Sequence, residues 1–312
     1  MKKKLYYIYL VILTALVAGC QDEAMFTAED DGLVTVSYRV KVGDDLQSRA
    51  IGDGTQVNEL IVGVFQNNTQ IKQYTYEVEE RTAEINIPLL KTETYDLVFW
   101  AHTSGNGIYD TSDLNDITID YSEFSKTQAE GIALDAFYTT REGVTVAEPG
   151  TTSIELRRPF SQVSFGVYGN DIEKNKISSA EIIVNGTLYT GFKPLAEGEK
   201  AVEGDEETYS FEFTDLEDKT NSFIISGKEY THLTANYFLV PTTEGTNATI
   251  GGTVRFKDEN GNIVSEFTFE DAPLLANTRV NIGKGLTEVW DGVIVESLPE
   301  ADEDGVIHIE TT

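Results

Sequence analysis

Between Leu33 and Val42 the chain reads LVTVSYRVKV, with Val34, Val36, Tyr38, Val40 and Val42 at one parity and Thr35, Ser37, Arg39 and Lys41 at the other. An unbroken period of two predicts a β-strand with one buried face, because successive side chains leave opposite sides of the pleat. Such a strand cannot stand alone. Its backbone needs partners and its apolar face needs cover.

The rest of the chain repeats the pattern. Residues 43–56 (GDDLQSRAIGDGTQ) form a loop rich in glycine and aspartate that carries an Arg49–Ala50 bond, and residues 57–65 (VNELIVGVF) start a second strand. Tyr74, Tyr76 and Val78 alternate with polar residues, as do Ala83, Ile85, Ile87 and Leu89, with Glu79-Glu80-Arg81 as the turn between them. Residues 95–102 (YDLVFWAH) are apolar at both parities, which predicts a central strand whose second face is covered by another element. Residues 121–130 are the best candidate for a short helix, and residues 193–207 read as an acidic, mobile loop. Asp258-Glu259-Asn260-Gly261 is a hairpin turn between two strands. Short strands at roughly 8–12-residue spacing with almost no helix predict an all-β, sandwich-type fold. A chain of 312 residues fits two domains at about 150 residues each. The natural boundary is AEPG (147–150), which interrupts the strand pattern.

The N-terminus begins with Lys2, Lys3 and Lys4, continues through an apolar run over 5–17, and ends in Leu16-Val17-Ala18-Gly19-Cys20. It resembles a bacterial lipoprotein signal. That resemblance implies cleavage between Gly19 and Cys20, and acylation of Cys20 as an anchor in outer-membrane lipid. The alternative is an ordinary signal peptide beside an unrelated cysteine. Gln21-Asp22-Glu23 resembles the surface-export tag of Bacteroidetes lipoproteins, and it also suits a solvated tether.

Composition narrows the chemistry. A net charge of −30 argues against nucleic-acid partners. Cys20 is the only cysteine, so no internal disulfide and no cysteine-based zinc site is possible. His102, His232 and His308 lie far apart in sequence, and no HExxH, GxSxG or P-loop is present. No cofactor and no enzymatic activity is expected. Asp110, Asp113, Asp116 and Asp120 could hold calcium, but they lack the spacing of an EF-hand, and a solvated loop is the simpler reading. Glu203, Asp205, Glu206 and Glu207 read the same way. Trp100 could stack on a sugar ring or pack inside the fold.

The stretches RAIGDGTQVNELIVGVF, YDLVFWAH, LDAFY, IELRRPFSQVSFGV, YFLVP and ANTRVNIGKGLT, in this order, resemble the fimbrillin-like lipoproteins of Bacteroidales, in particular a family catalogued as a domain of unknown function. The resemblance implies two tandem Greek-key β-sandwich domains, 33–149 and 150–288. A signal (1–19) and an acidic tether (20–32) precede them, and a tail (289–312) follows. In polymerising members an arginine-specific protease cuts the first loop, the first strand is lost, and a neighbouring subunit's strand fills the groove. Arg49–Ala50 matches that cut site. Val34, Val36, Tyr38, Val40 and Val42 would be the buried face of the removable strand. The tail, with Val293–Val295 and Val306–Ile309, either donates to a neighbour or pairs with its own domain. Two functions follow. One is a structural or adhesive subunit of a cell-surface fimbria, with other subunits as partners. The other is a non-polymerising surface lipoprotein that binds glycan or a host protein.

Overall fold

The computed structural model describes residues 32–43, 54–105, 107–123, 134–146, 149–169, 176–205, 208–214, 216, 221–242, 248–286 and, for the backbone, 306–310. The chain divides after Leu33 into two units, of which the second is Val34–Thr312. Its strands are β1 (Leu33–Val42), β2 (Glu59–Gln66), β3 (Thr69–Glu77), β4 (Thr82–Leu90), β5 (Thr94–His102), β6 (Tyr109–Asp110), β7 (Ile117–Ile119), β8 (Ala136–Thr145), β9 (Gly150–Leu156) and β10 (Phe160–Tyr168). They continue as β11 (Ser179–Asn185), β12 (Tyr189–Phe192), β13 (Ala201–Glu203), β14 (Thr208–Phe213), β15 (Ser222–Ile225), β16 (Lys228–Leu239), β17 (Ala248–Lys257), β18 (Ile263–Leu274), β19 (Thr278–Gly285) and β20 (Val306–Glu310). The fold is all-β. A 3-10 turn at Tyr121–Glu123 occupies the start of the helix candidate, and residues 124–130 lie outside the described residues.

Two sheets, ordered β4-β1-β9 and β3-β2-β5-β8, face each other across one apolar core. Val40, Val42, Ile85, Ile87 and Leu156 from the first meet Leu60, Val62, Leu97 and Phe99 from the second. The sheet ordered β15-β16-β10-β19-β20 shares a second core with the sheet β14-β11-β17-β18. Phe165, Phe238 and Ile282 lie there with Phe211, Val254 and Phe269. The β17–β18 connection is the hairpin its sequence predicts. Asp258 Oδ1 accepts the amides of Asn260 (2.9 Å) and Asn262 (2.8 Å), and Gly261 takes a positive φ of 80° that favours glycine.

Strand β5 belongs to both cores. Leu97 and Phe99 enter the first, whereas Val98 and Trp100 enter the second, so its double-sided apolarity reflects two covered faces.

The expected boundary at Pro149-Gly150 does not separate the sheets. β9 lies beyond it in sequence, yet pairs parallel with β1 from Val36↔Gly150 to Val42↔Leu156, and buries Ile154 and Leu156 in the first core. A further sheet, β13-β12-β7-β6, joins strands from both sides of that point, with Phe192 opposite Ile117. The physical reason lies in the open edge of β1. Its backbone groups need a second partner, and the chain crosses from β8 to supply it as β9. The layers change instead between Leu156 and Phe160.

Residues 193–200 are likewise not a loose loop but the tip of the β12–β13 hairpin. Lys193 N donates to Lys200 O (2.8 Å), Leu195 N donates to Asn115 Oδ1 (2.9 Å), and Thr242 N donates to Glu199 Oε1 (2.7 Å). At the other end of the chain, β20 runs parallel to β19, from Arg279↔Val306 to Gly283↔Glu310, so this part of the tail pairs with its own body.

Candidate functional site

The alternating sequence of β1 places it where a strand can be held on all sides. It sits between β4 and β9, so both of its backbone edges are paired. Toward β4 the order of contacts reverses along the chain, which makes that pair antiparallel. Ser37 Oγ donates to Asn86 Oδ1 (2.6 Å), Arg39 Nη2 donates to Glu84 Oε1 (3.1 Å), and Val42 N donates to Arg81 O (2.8 Å).

The inner face carries Val34, Tyr38, Val40 and Val42, all buried. Val36 is only half-buried, although it touches the same core. Its partner in β9 is Gly150, which has no side chain to cover it. Tyr38 presents its ring edge-on to Phe99, and burial raises its phenol pKa against an opposing pull from Arg141. Four buried side chains at about 1.5–3 kcal/mol each amount to roughly 6–12 kcal/mol of gross burial. The Arg39–Glu84 pair on the outer face is exposed and contributes under about 1 kcal/mol, so it sets register more than stability.

The wall formed by β9 is tied to the body independently of β1. Tyr138 and Arg157 exchange both backbone hydrogen bonds (2.9 and 3.0 Å). The next residue, Arg158, is buried and meets the buried Asp135 in a bidentate pair, with Nη2 donating to Oδ2 at 2.6 Å. Its guanidinium lies 4.9 Å from the Phe137 ring and 5.9 Å from the Tyr237 ring. Asp135 lies in LDAFY and Arg158 in IELRRPFSQVSFGV, and no local sequence pattern joins the two stretches. Two charged residues set among apolar neighbours were the available signal.

At the end of β1, Gly43 N donates to Leu156 O (3.2 Å). The chain returns at Gly54, whose φ of +79° disfavours a side chain and where a Cβ would stand a tight 3.1 Å from the Phe137 ring. Arg49 and Ala50 lie between these points, outside the described residues, as do Gly19 and Cys20.

The other candidates resolve into structure. Trp100 is fully buried against Tyr109, Phe160 and Phe192, so it offers no ring to a sugar. His102 Nε2 lies 3.0 Å from Glu59 Oε1. Burial lowers the pKa of that imidazole, while the carboxylate partly raises it. Asp110, Asp113 and Asp120 each accept an amide two residues on, and Asp116 meets Lys193 at 3.3 Å. The carboxylates of Asp110, Asp113 and Asp120 thus cap turns. Among the described residues, no group of three or more His, Cys, Asp or Glu side chains is placed to hold a metal ion, and no helix is long and apolar enough to cross a membrane.

The sequence pattern of a family of unknown function (DUF6562) matches residues 28–304. The chain belongs to that family. Among curated proteins none matches. Solved structures similar to this member of the family include a proposed adhesin from Bacteroides thetaiotaomicron, at 12% identity and TM-score 0.44 over 74% of this chain and 79% of that one. A proposed cell-adhesion protein from Bacteroides uniformis aligns at 12% identity and TM-score 0.46 over 79% and 89%. The fimbrial anchor protein Mfa2 from Porphyromonas gingivalis aligns at 12% identity and TM-score 0.38 over 75% and 82%.

Proposed function

We propose that this protein is a surface lipoprotein, anchored in the outer membrane through Cys20, that serves as a structural or adhesive subunit of a fimbria. In this reading, cleavage at Arg49–Ala50 frees β1, and a strand from another subunit takes its place. One observation carries the reading. β1 is an interior strand of its sheet, with four side chains in the core, yet the loop that follows it carries a basic residue suited to proteolysis. Once the loop is cut, nothing covalent ties the strand to the body downstream.

Loss of β1 leaves β4 and β9 with unpaired edges over an open apolar groove, which is the condition for strand complementation. An incoming strand would run parallel to β9 and antiparallel to β4, with apolar residues at alternate positions. The tail of a neighbouring copy is the proposed donor. For that role Val306–Glu310 would have to leave β19, its partner at the sheet edge.

The test is treatment of the purified protein with an arginine-specific protease, followed by sizing. Cleavage at Arg49 should give a ladder of oligomers, absent in Arg49→Ala and in a chain truncated after Gly292. A cleaved protein that stays monomeric with β1 still bound would overturn strand exchange.

A further inference from the structure

We infer that the cleft between the Tyr121–Glu123 turn, β12, the corner after β13 and β14 is a binding site for a neutral saccharide. The cleft has a volume of about 410 Å³. That lies at the small end of the usual range for ligand sites, roughly 300–1,000 Å³, and suits one or two sugar rings. It is lined by Asp120, Ser122, Thr190, Asp205, Tyr209 and Ser210, among others. These residues come from chain segments far apart in sequence, so only the folded protein assembles them.

The walls are pre-set. The Tyr121 phenol donates to Tyr189 O (3.2 Å) and accepts from Leu239 N (3.1 Å), which fixes its ring. That ring stands edge-on to Tyr209, with centroids 5.8 Å apart, so the half-buried Tyr209 is backed by a fixed neighbour. Asp120 Oδ1 accepts both the amide (2.9 Å) and the hydroxyl (2.6 Å) of Ser122, which orients carboxylate and hydroxyl together. At the corner, Gly204 N donates to Leu188 O (2.8 Å), and a Cβ on Gly204 would stand 2.7 Å from both Thr190 Cγ2 and Tyr209 Oη. The backbone there is pressed against the wall, which holds Asp205 at the rim.

The chemistry selects the ligand class. Carboxylates and hydroxyls beside an aromatic ring match the alternating hydroxyls and apolar C–H face of a sugar. The described lining residues include no lysine or arginine, and two carboxylates repel an anion, so sialylated or sulfated sugars are disfavoured. An apolar ligand would leave those polar groups unpaired. The site lies apart from β1 and does not depend on strand exchange.

The experiment passes the full-length protein, in detergent, over immobilised neutral oligosaccharides ending in galactose, mannose or N-acetylglucosamine, and over their sialylated counterparts. Retention on at least one neutral sugar is expected, with loss on its sialylated form. Asp205→Asn and Tyr209→Ala should each weaken that retention about tenfold, the scale of one lost hydrogen bond or stacking contact. Tyr209→Phe, which keeps the ring, should retain most of it. Thermal melting of each variant separates a lost site from a lost fold, and Thr190→Val tests the same cleft if Tyr209→Ala melts early. Absence of retention on any neutral sugar, equal retention of sialylated forms, or retention unchanged in folded Asp205→Asn and Thr190→Val would each overturn the assignment.

Discussion

The ring of Tyr38 stands edge-on to that of Phe99, with centroids 5.3 Å apart and planes at 69°. This contact joins β1 to the facing sheet, since Phe99 lies on β5. It is the largest side chain that β1 sends into the core. Tyr38→Ala should therefore destabilise the protein by about 3–5 kcal/mol, the range for deleting a buried ring. Arg39→Ala, on the outer face of the same strand, should cost under about 1 kcal/mol. Urea unfolding of both variants checks the difference. Equal effects would mean that the inner face of β1 does not hold it in place.

Arg158 and Asp135 make the buried ion pair that seats the end of β9. Removing one partner leaves the other charged and desolvated, so Arg158→Met or Asp135→Leu alone should cost about 3–5 kcal/mol. The double variant Arg158→Met/Asp135→Leu should lose much less than the two single losses added together. A thermodynamic cycle by chemical denaturation measures this, and additive losses would contradict a coupled pair.

His232 is buried beside Arg279, and burial first, then that cation, lowers its pKa to about 3. Above pH 6.5 the imidazole is neutral in both folded and unfolded chains and contributes no pH dependence. Between about 6.5 and 3 the unfolded chain binds a proton that the folded chain refuses, so stability falls as pH falls, by roughly 1.4 kcal/mol per pH unit. Below about 3 the effect levels off. Many carboxylates titrate over the lower part of this window, so the informative quantity is the difference between wild type and His232→Gln. The gap in unfolding free energy between the two should shift in favour of the variant from pH 6.5 to pH 4. A gap independent of pH would show that His232 is protonated in the folded state.

Lipid anchoring is tested at one atom. Cys20 supplies the only thiol in the chain, so Cys20→Ala should release the protein from membranes or stop its maturation. Fractionation of cells with surface labelling reads the outcome. A variant that stays membrane-bound and surface-displayed would remove Cys20 from the proposal.

Residue order alone was enough for the strands whose chemistry is local. The alternation of Val34 to Val42, the two-sided apolarity of Leu97 to Trp100, and the Asp258–Gly261 turn each state a backbone geometry that neighbours in sequence enforce. Burial of Trp100, by contrast, depended on Tyr109, Phe160 and Phe192, which arrive from three separate stretches. The boundary at Pro149-Gly150 misled because proline and glycine report where a strand stops, not which sheet the next one joins. That β9 pairs with β1 follows from an open edge more than a hundred residues away, and no local pattern records it. The same holds for Arg158 with Asp135 and for the cleft around Tyr209. A strand's period fixes the face it buries, whereas its partners, and so the groove and the sites between sheets, are chosen by long-range packing once the whole chain has collapsed.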